Sequence, residues 1–404
     1  MNWRERQSVM VVVGLFSTLF VIVGGSVNTL GIFFTPLMIH FHWTHTQVSL
    51  IATVFGLTWG LASPLVGWLL DRIDAQIIMP LGAGLAGIGF ILASSAGSLT
   101  SMLAWYGVVA LGVAGSALVP CSVVAANWFS ERRAMALGIV IAGGSAGGVV
   151  MPLVTDRIIS ARGWSTAMLA IAALILVLIV PLIFLTVRTR PQVVAGTKCR
   201  LPAEADGVEL NAALRTASFW MLVLMQVCAG TGLNGTFFHL VPYLISVGFS
   251  SSRAALIASG QAGFVALGVL FLGAFADRCG ARPVLAAALA ALGLGILFLL
   301  GVHSNGLLLA AFLVAFGLGA GATSSVAPVL LAEVFGLKRF GSLAGLMGML
   351  QTAGAAAGPV MVGGMFDFNG NYSVAFTACF MLLCVAAFAT LLVKPVAAQL
   401  AVAA

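Results

Sequence analysis

The sequence predicts an all-α polytopic membrane protein with twelve transmembrane helices in two six-helix halves. Three observations carry that prediction. Hydrophobic residues make up 61% of the 404-residue chain and charged residues 7%, which leaves too little polar surface to cover a water-soluble body. Apolar runs of roughly 20 residues recur, each long enough as helix to cross a hydrocarbon core of about 30 Å, and they lack the alternation of barrel strands. The charged loops between them repeat at a fixed offset.

In order, the expected spans are 8–34, 48–70, 77–96, 101–125, 135–158 and 165–187, then 218–245, 255–275, 283–302, 306–332, 341–365 and 373–393. The first run is too long for a signal-peptide core and has no small-residue cleavage site before a polar domain, so it is expected to stay as a helix. Between the sets lies RTRPQVVAGTKCRLPAEADGVELNAALR, whose prolines and mixed charge read as a linker. The expected organisation is a bundle over 1–187, a linker over 188–215 and a second bundle over 216–404.

Twelve spans put the termini, the linker and every second loop on one side. Of the 18 lysines and arginines, 15 then share that side, leaving Arg157, Arg162 and Arg253 opposite. The positive-inside rule makes both termini cytoplasmic in a multi-pass inner (plasma) membrane protein. Basic loops beside anionic lipid also explain the net charge of +7 without a nucleic-acid partner.

The halves repeat. GWLLDRIDAQ at Gly67 lies over GAFADRCGAR at Gly273, pairing Asp71 with Asp277 and Arg72 with Arg278 at an offset of 206. The same offset pairs Phe129 with Phe335 and Arg133 with Arg339. Two repeated bundles joined by a linker suit a rocking, alternating-access carrier with its site near the midplane.

G-x-x-x-D-R after the second and eighth spans, on a six-plus-six frame, resembles the signature loop of the major facilitator superfamily. Phe219–Ser250, Trp128–Gly148 and the RGW at Arg162 are similar to the bacterial branch of oxalate/formate antiporters and monocarboxylate transporters. The resemblance implies that the charged loop latches the halves on the cytoplasmic side, with Asp71, Arg72, Arg132, Arg133, Asp277 and Arg278 as gating residues. A carboxylate at a helix end can accept from a neighbouring helix N-terminus, and the arginines offer charged partners. The other reading is that these charges only fix topology.

Intramembrane ionisable residues usually mark substrate or proton routes. The eleven acids all fall near span ends or in loops, with Asp156 and Asp367 at the external side, which leaves His239 in NGTFFHLVP as the candidate proton carrier. Thr236 shares its helix face, and nearby glycines suit a bend. The plain alternative is a satisfied core histidine. Relatives of the resembling branch carry cations where this chain has Val269, Asn28 and Gln351 or Thr352, so a dianion such as oxalate is disfavoured. A neutral polar set remains: Asn28, Thr29, Asn234, Thr236, Gln261, Gln351 and Thr352. It suits a mostly apolar solute with one or two polar groups, or a weak monoacid moving with a proton; each residue singly can also serve helix packing.

The leading expectation is a secondary transporter of a small monocarboxylate or similar weak acid. The rivals are an exporter of neutral or hydrophobic metabolites and drugs, and a non-transporting sensor. Enzymatic chemistry, cofactors and metals are not expected. GAGLAGIGF at Gly82 contains G-x-G-x-x-G but lies inside an apolar span with no preceding strand, so it reads as packing. The six cysteines have no paired spacing and are expected as free thiols; His40, His42 and His45 are expected in a wet external loop. A monomer is expected.

Overall fold

The computed structural model describes residues 3–70, 72–128, 133–187, 208, 210–302, 306–336 and 340–394. The helices are α1 (Trp3–Ser26), α2 (Leu30–Phe41), α3 (His45–Leu70), α4 (Ala75–Ser94), α5 (Leu99–Ser116), α6 (Leu118–Trp128), α7 (Arg133–Arg162), α8 (Trp164–Ala173) and α9 (Val180–Thr186). Further along come α10 (Leu210–Ala213), which falls within the expected linker, α11 (Ala217–Ser246), α12 (Ser251–Cys279), α13 (Ala281–Leu300), α14 (Gly306–Phe335), α15 (Phe340–Asn369) and α16 (Ser373–Leu392). Among the described residues, 11 helical stretches are long and apolar enough to cross a membrane; α15 is as long, but its glycines and Gln351–Thr352 keep it below that composition.

Three expected single spans are interrupted: the fourth at the single residue Ala117 (φ −96°, ψ −123°) between α5 and α6, and the first and sixth each for a local reason. The first breaks at Val27–Thr29 between α1 and α2, where side chains take up backbone carbonyls. Asn28 Nδ2 donates to Val23 O at 3.2 Å and Thr29 Oγ1 to Gly25 O at 2.6 Å, in competition with the helical ladder. The sixth changes register through a π-helical turn, Leu174–Ile179. Pro181, which follows it, has no N–H to donate to the preceding turn. Conversely α11 runs unbroken through Gly230, Gly232 and Gly235, where the sequence favoured a bend.

Contacts divide the chain into two compact units, Met1–Val193 with Phe238–Gly263, and Val194–Phe237 with Phe264–Ala404. In the first, α1 lies against α7 so closely that a methyl group on Gly147 would overlap Phe20 O. In the second, α11 and α15 do the same, with Gly354 against Val227 O and Gly358 against Thr231 O. Phe20 and Gly147 stand 207 residues before Val227 and Gly354, so the internal repeat extends from loop sequence to helix packing.

A second repeated contact uses the glycines of the apolar Gly-rich run. Gly89 of α4 packs on Val109 of α5, and Gly295 of α13 packs on Phe316 of α14. Between helices in lipid there is little hydrophobic drive, so close backbone approach through small residues supplies the dispersion contact that holds them. One-residue junctions join α7 to α8 at Gly163 (φ 85°) and α12 to α13 at Gly280 (φ 87°), where a side chain would strain the left-handed backbone. The described cysteines Cys121, Cys228, Cys279, Cys379 and Cys384 are free thiols.

Candidate functional site

In the first unit, α11 carries His239 into a fully buried position, with its Nε2 3.0 Å from Ser49 Oγ on α3. The Ser49 hydroxyl also donates to His45 O at 2.7 Å, one helical turn earlier. A hydroxyl has one proton to donate, so with that proton on His45 O, Ser49 accepts from His239 Nε2–H. Neutral His239 is thereby held as the Nε2–H tautomer. The Phe34 ring of α2 meets the imidazole edge-on at 4.9 Å. Beside Ser49 and Phe34 the free space is about 10 Å³, room for about one water.

The break after α1 places Asn28 near α7 and α12. A methyl group on Gly148 would sit 3.0 Å from Asn28 Oδ1 and 3.2 Å from Ala262 Cβ. Next to Ala262, Gln261 is 1% exposed and its Oε1 has no hydrogen-bond partner; Ser259, at 2%, leaves its Oγ unpaired as well. An unpaired buried polar atom costs about 1–3 kcal/mol, so two on one helix turn call for an explanation. Further along, the hydroxyl of Ser251 hydrogen-bonds to Asp156 Oδ1 of α7, and Asp156 is buried at 2% exposure. The sequence placed Asp156 at an external helix end; its burial was not foreseen.

The second unit holds the remaining expected residues. Asn234 Nδ2 donates to Gly230 O (2.9 Å), Thr236 Oγ1 to Gly232 O (2.9 Å) and Thr352 Oγ1 to Gly348 O (2.9 Å), all within their own helices. Gln351 lines a cavity of about 120 Å³ between α11, α14 and α15. Gln226 lines it too, and its Oε1 is sealed without a hydrogen-bond partner. Gln226 was legible as a mid-span amide like Gln261 and was overlooked; Ser49 had no signal distinguishing it from any serine in a first helical turn. Val269 lies on α12, where a methyl group on Gly321 of α14 would sit 2.6 Å from its backbone nitrogen.

Of the expected gating residues, Asp71 and Arg132 lie outside the described residues, as do the side chains of Arg133 on α7 and Asp277 on α12. Arg72 is exposed with its guanidinium carbon 3.9 Å from the Trp68 ring centroid, and Arg278 is exposed. At the start of α13, Glu333 Oε1 accepts from Ala281 N at 3.3 Å. In the histidine cluster His40 and His42 are exposed, as expected, and His45 is half-buried; the His40 ring meets Trp164 at 5.4 Å and the His45 ring meets Phe34 at 5.7 Å.

A polytopic helical protein with buried neutral polar groups and a broken first span has the make-up of a solute carrier, and known proteins agree. An MFS-type transporter of Gibberella moniliformis is 27% identical over 317 residues, covering 77% of this chain and 73% of that protein. Mouse monocarboxylate transporter 12 is 27% identical over 379 residues, covering 87% of this chain and 78% of that protein. The crystal structure of the nucleoside transporter NupG superposes with a TM-score of 0.76 over 95% of this chain and 98% of that one, at 15% identity, a likeness of fold. The sequence model of the Major Facilitator Superfamily matches residues 15–259 and 241–403, nearly the whole length, and the chain belongs to that family of transporters.

Proposed function

We propose that this carrier moves a small weak organic acid, a monocarboxylate, together with a proton by alternating access. The observation that supports the reading is the sealed His239–Ser49 pair. A lone imidazolium at a fully buried position loses its hydration and costs several kcal/mol. A carboxylate arriving with the proton cancels that charge, so the buried histidine accepts both or neither. The kinship with monocarboxylate transporter 12 points the same way, at low identity.

In this reading His239 holds the proton, while Asn28 and Gln261 of the first unit, and Asn234, Thr236, Gln351 and Thr352 of the second, contact the solute at different stages. The bundles 1–187 and 216–404 are the moving bodies, both termini are cytoplasmic in the inner (plasma) membrane, and the carrier works as a monomer. Asp71, Arg72, Arg132, Arg133, Asp277 and Arg278 latch the linker-side gate, so Asp71→Asn shifts the carrier towards states open on that side.

The test is uptake of labelled C2 to C4 monocarboxylates into liposomes holding the purified chain, with and without an imposed proton gradient. Gradient-dependent accumulation in the wild type and its loss in His239→Ala is the expected result. Gradient-dependent accumulation that survives in His239→Ala removes the histidine from the mechanism. No uptake of any acid by folded protein leaves the carrier to neutral or hydrophobic solutes.

A further inference from the structure

The cavity of the second unit is built differently from the histidine site. Helices α11 and α15 touch backbone to backbone at Val227–Gly354 and Thr231–Gly358, with the Thr231 hydroxyl 3.0 Å from Gly354 O. Towards the linker end of α11 that contact gives way to a space of about 120 Å³, whose lining includes Leu222, Met225 and Gln226 of α11, Leu331 of α14, and Met347 and Gln351 of α15. Among the described residues, no charged one lines it. Dry engineered cavities of about 150 Å³ hold a benzene molecule, so this one takes about five or six non-hydrogen atoms.

The two polar side chains are both primary amides, and each offers a donor and an acceptor. Gln226 Oε1 is the orphan: sealed, buried and unpaired. A half-turn about the last torsion of Gln226, which is broad and two-fold, exchanges oxygen and nitrogen at the cavity wall. The lining therefore matches a ligand that presents a donor and an acceptor side by side and carries no net charge. A carboxylate fails on two counts, since it brings a charge no lining residue balances and it has no proton to give Gln226.

We propose that the α11–α14–α15 cavity binds a small neutral molecule with a carboxyl-type head, either an undissociated short carboxylic acid or the corresponding primary amide, its two- or three-carbon tail lying among Leu222, Leu331 and the methionines. The acid arm rests on the proposed function; the amide arm stands without it. The cavity is a place where the acid is held in its protonated form, apart from His239.

The experiment is saturation-transfer NMR on the purified full chain in nanodiscs, with propionamide and propionic acid as probes below and above the pKa of the acid. Propionamide is expected to bind equally at both pH values, and propionic acid only at the lower. Gln226→Leu is expected to weaken both at least tenfold. Gly348→Leu provides a second variant, because a Cβ there meets no atom within 4 Å and Gly348 lines the cavity, so the added side chain takes up cavity space. Gly345→Leu, equally unobstructed and outside the lining, controls for helix effects. Absence of propionamide binding to the wild type, or wild-type binding in both Gln226→Leu and Gly348→Leu, overturns the proposal. Amide binding without any acid uptake keeps the cavity and removes the weak-acid carrier reading; acid uptake without amide binding does the reverse.

Discussion

The His239–Ser49 pair and the Gln226–Gln351 cavity are both buried, uncharged polar places among apolar helices, yet they treat their polar atoms in opposite ways. At the first, a chain of hydrogen bonds runs from His239 Nε2 through Ser49 Oγ to His45 O, and the adjoining space is about 10 Å³. At the second, Gln226 Oε1 has no partner beside a space of about 120 Å³. A satisfied, closed group is stable as it stands and must be disturbed to act. An unsatisfied group at a cavity is destabilising until something donates to it. The difference separates a proton-holding role from a ligand-holding one, and it fixes the sign of each mutational effect.

The largest expected effect on stability comes from breaking the closed pair. Ser49→Ala leaves the buried Nε2–H of His239 without its acceptor, which costs about 1–3 kcal/mol. Its thermal unfolding midpoint in detergent is expected to fall clearly below wild type. An unchanged midpoint would show that His239 finds another acceptor and that the pair does not hold its tautomer.

Gln226→Leu carries the opposite sign. It removes an orphaned oxygen and substitutes apolar volume of similar size, so the midpoint is expected to hold or rise, by the equivalent of about 1 kcal/mol. The gain is expected alongside the loss of amide binding, the trade-off common where function needs an unsatisfied group. A fall would mean that the amide is structural, and the contrast between the two places would collapse.

Gln261→Leu sharpens the comparison inside the first unit. Gln261 resembles Gln226 in having an unpaired Oε1 but lies near the Asn28 break rather than on the cavity of the second unit. A held or raised midpoint together with reduced acid uptake assigns it to the solute; a raised midpoint with normal uptake makes it an uncompensated packing defect.

Much of this architecture was legible because apolar length and charge in loops are one-dimensional signals. The residues of the spans and the 206-residue loop repeat need no knowledge of packing. The matching helix contacts of Gly147 and Gly354 did need it, since a glycine in an apolar run reads alike whether it meets backbone or lipid. The same gap explains the errors. Gly230, Gly232 and Gly235 looked like a place to bend and instead admit neighbouring helices, while the actual break came at Asn28–Thr29, whose side chains compete for carbonyls one turn back. Candidate site residues were chosen by type, but whether an amide or hydroxyl is paired depends on a neighbour far away in sequence, as with Ser49 and His239.

The smallest expected effect belongs to Thr352. Its hydroxyl is bonded to Gly348 O of its own helix, and the neighbouring Gln351 is the α15 amide that lines the cavity. Thr352→Val keeps the shape, deletes only an intrahelical bond that competes with the backbone ladder, and is expected to move the unfolding midpoint by no more than the equivalent of about 0.5 kcal/mol. Acid uptake is expected within twofold of wild type. A tenfold loss of uptake at an unchanged midpoint would mean that the hydroxyl leaves Gly348 O for the solute during the cycle. In that case a bond counted as satisfied in this one arrangement of the helices would belong to the carrier's chemistry, and self-bonded Asn234 and Thr236 would have to be reconsidered on the same ground.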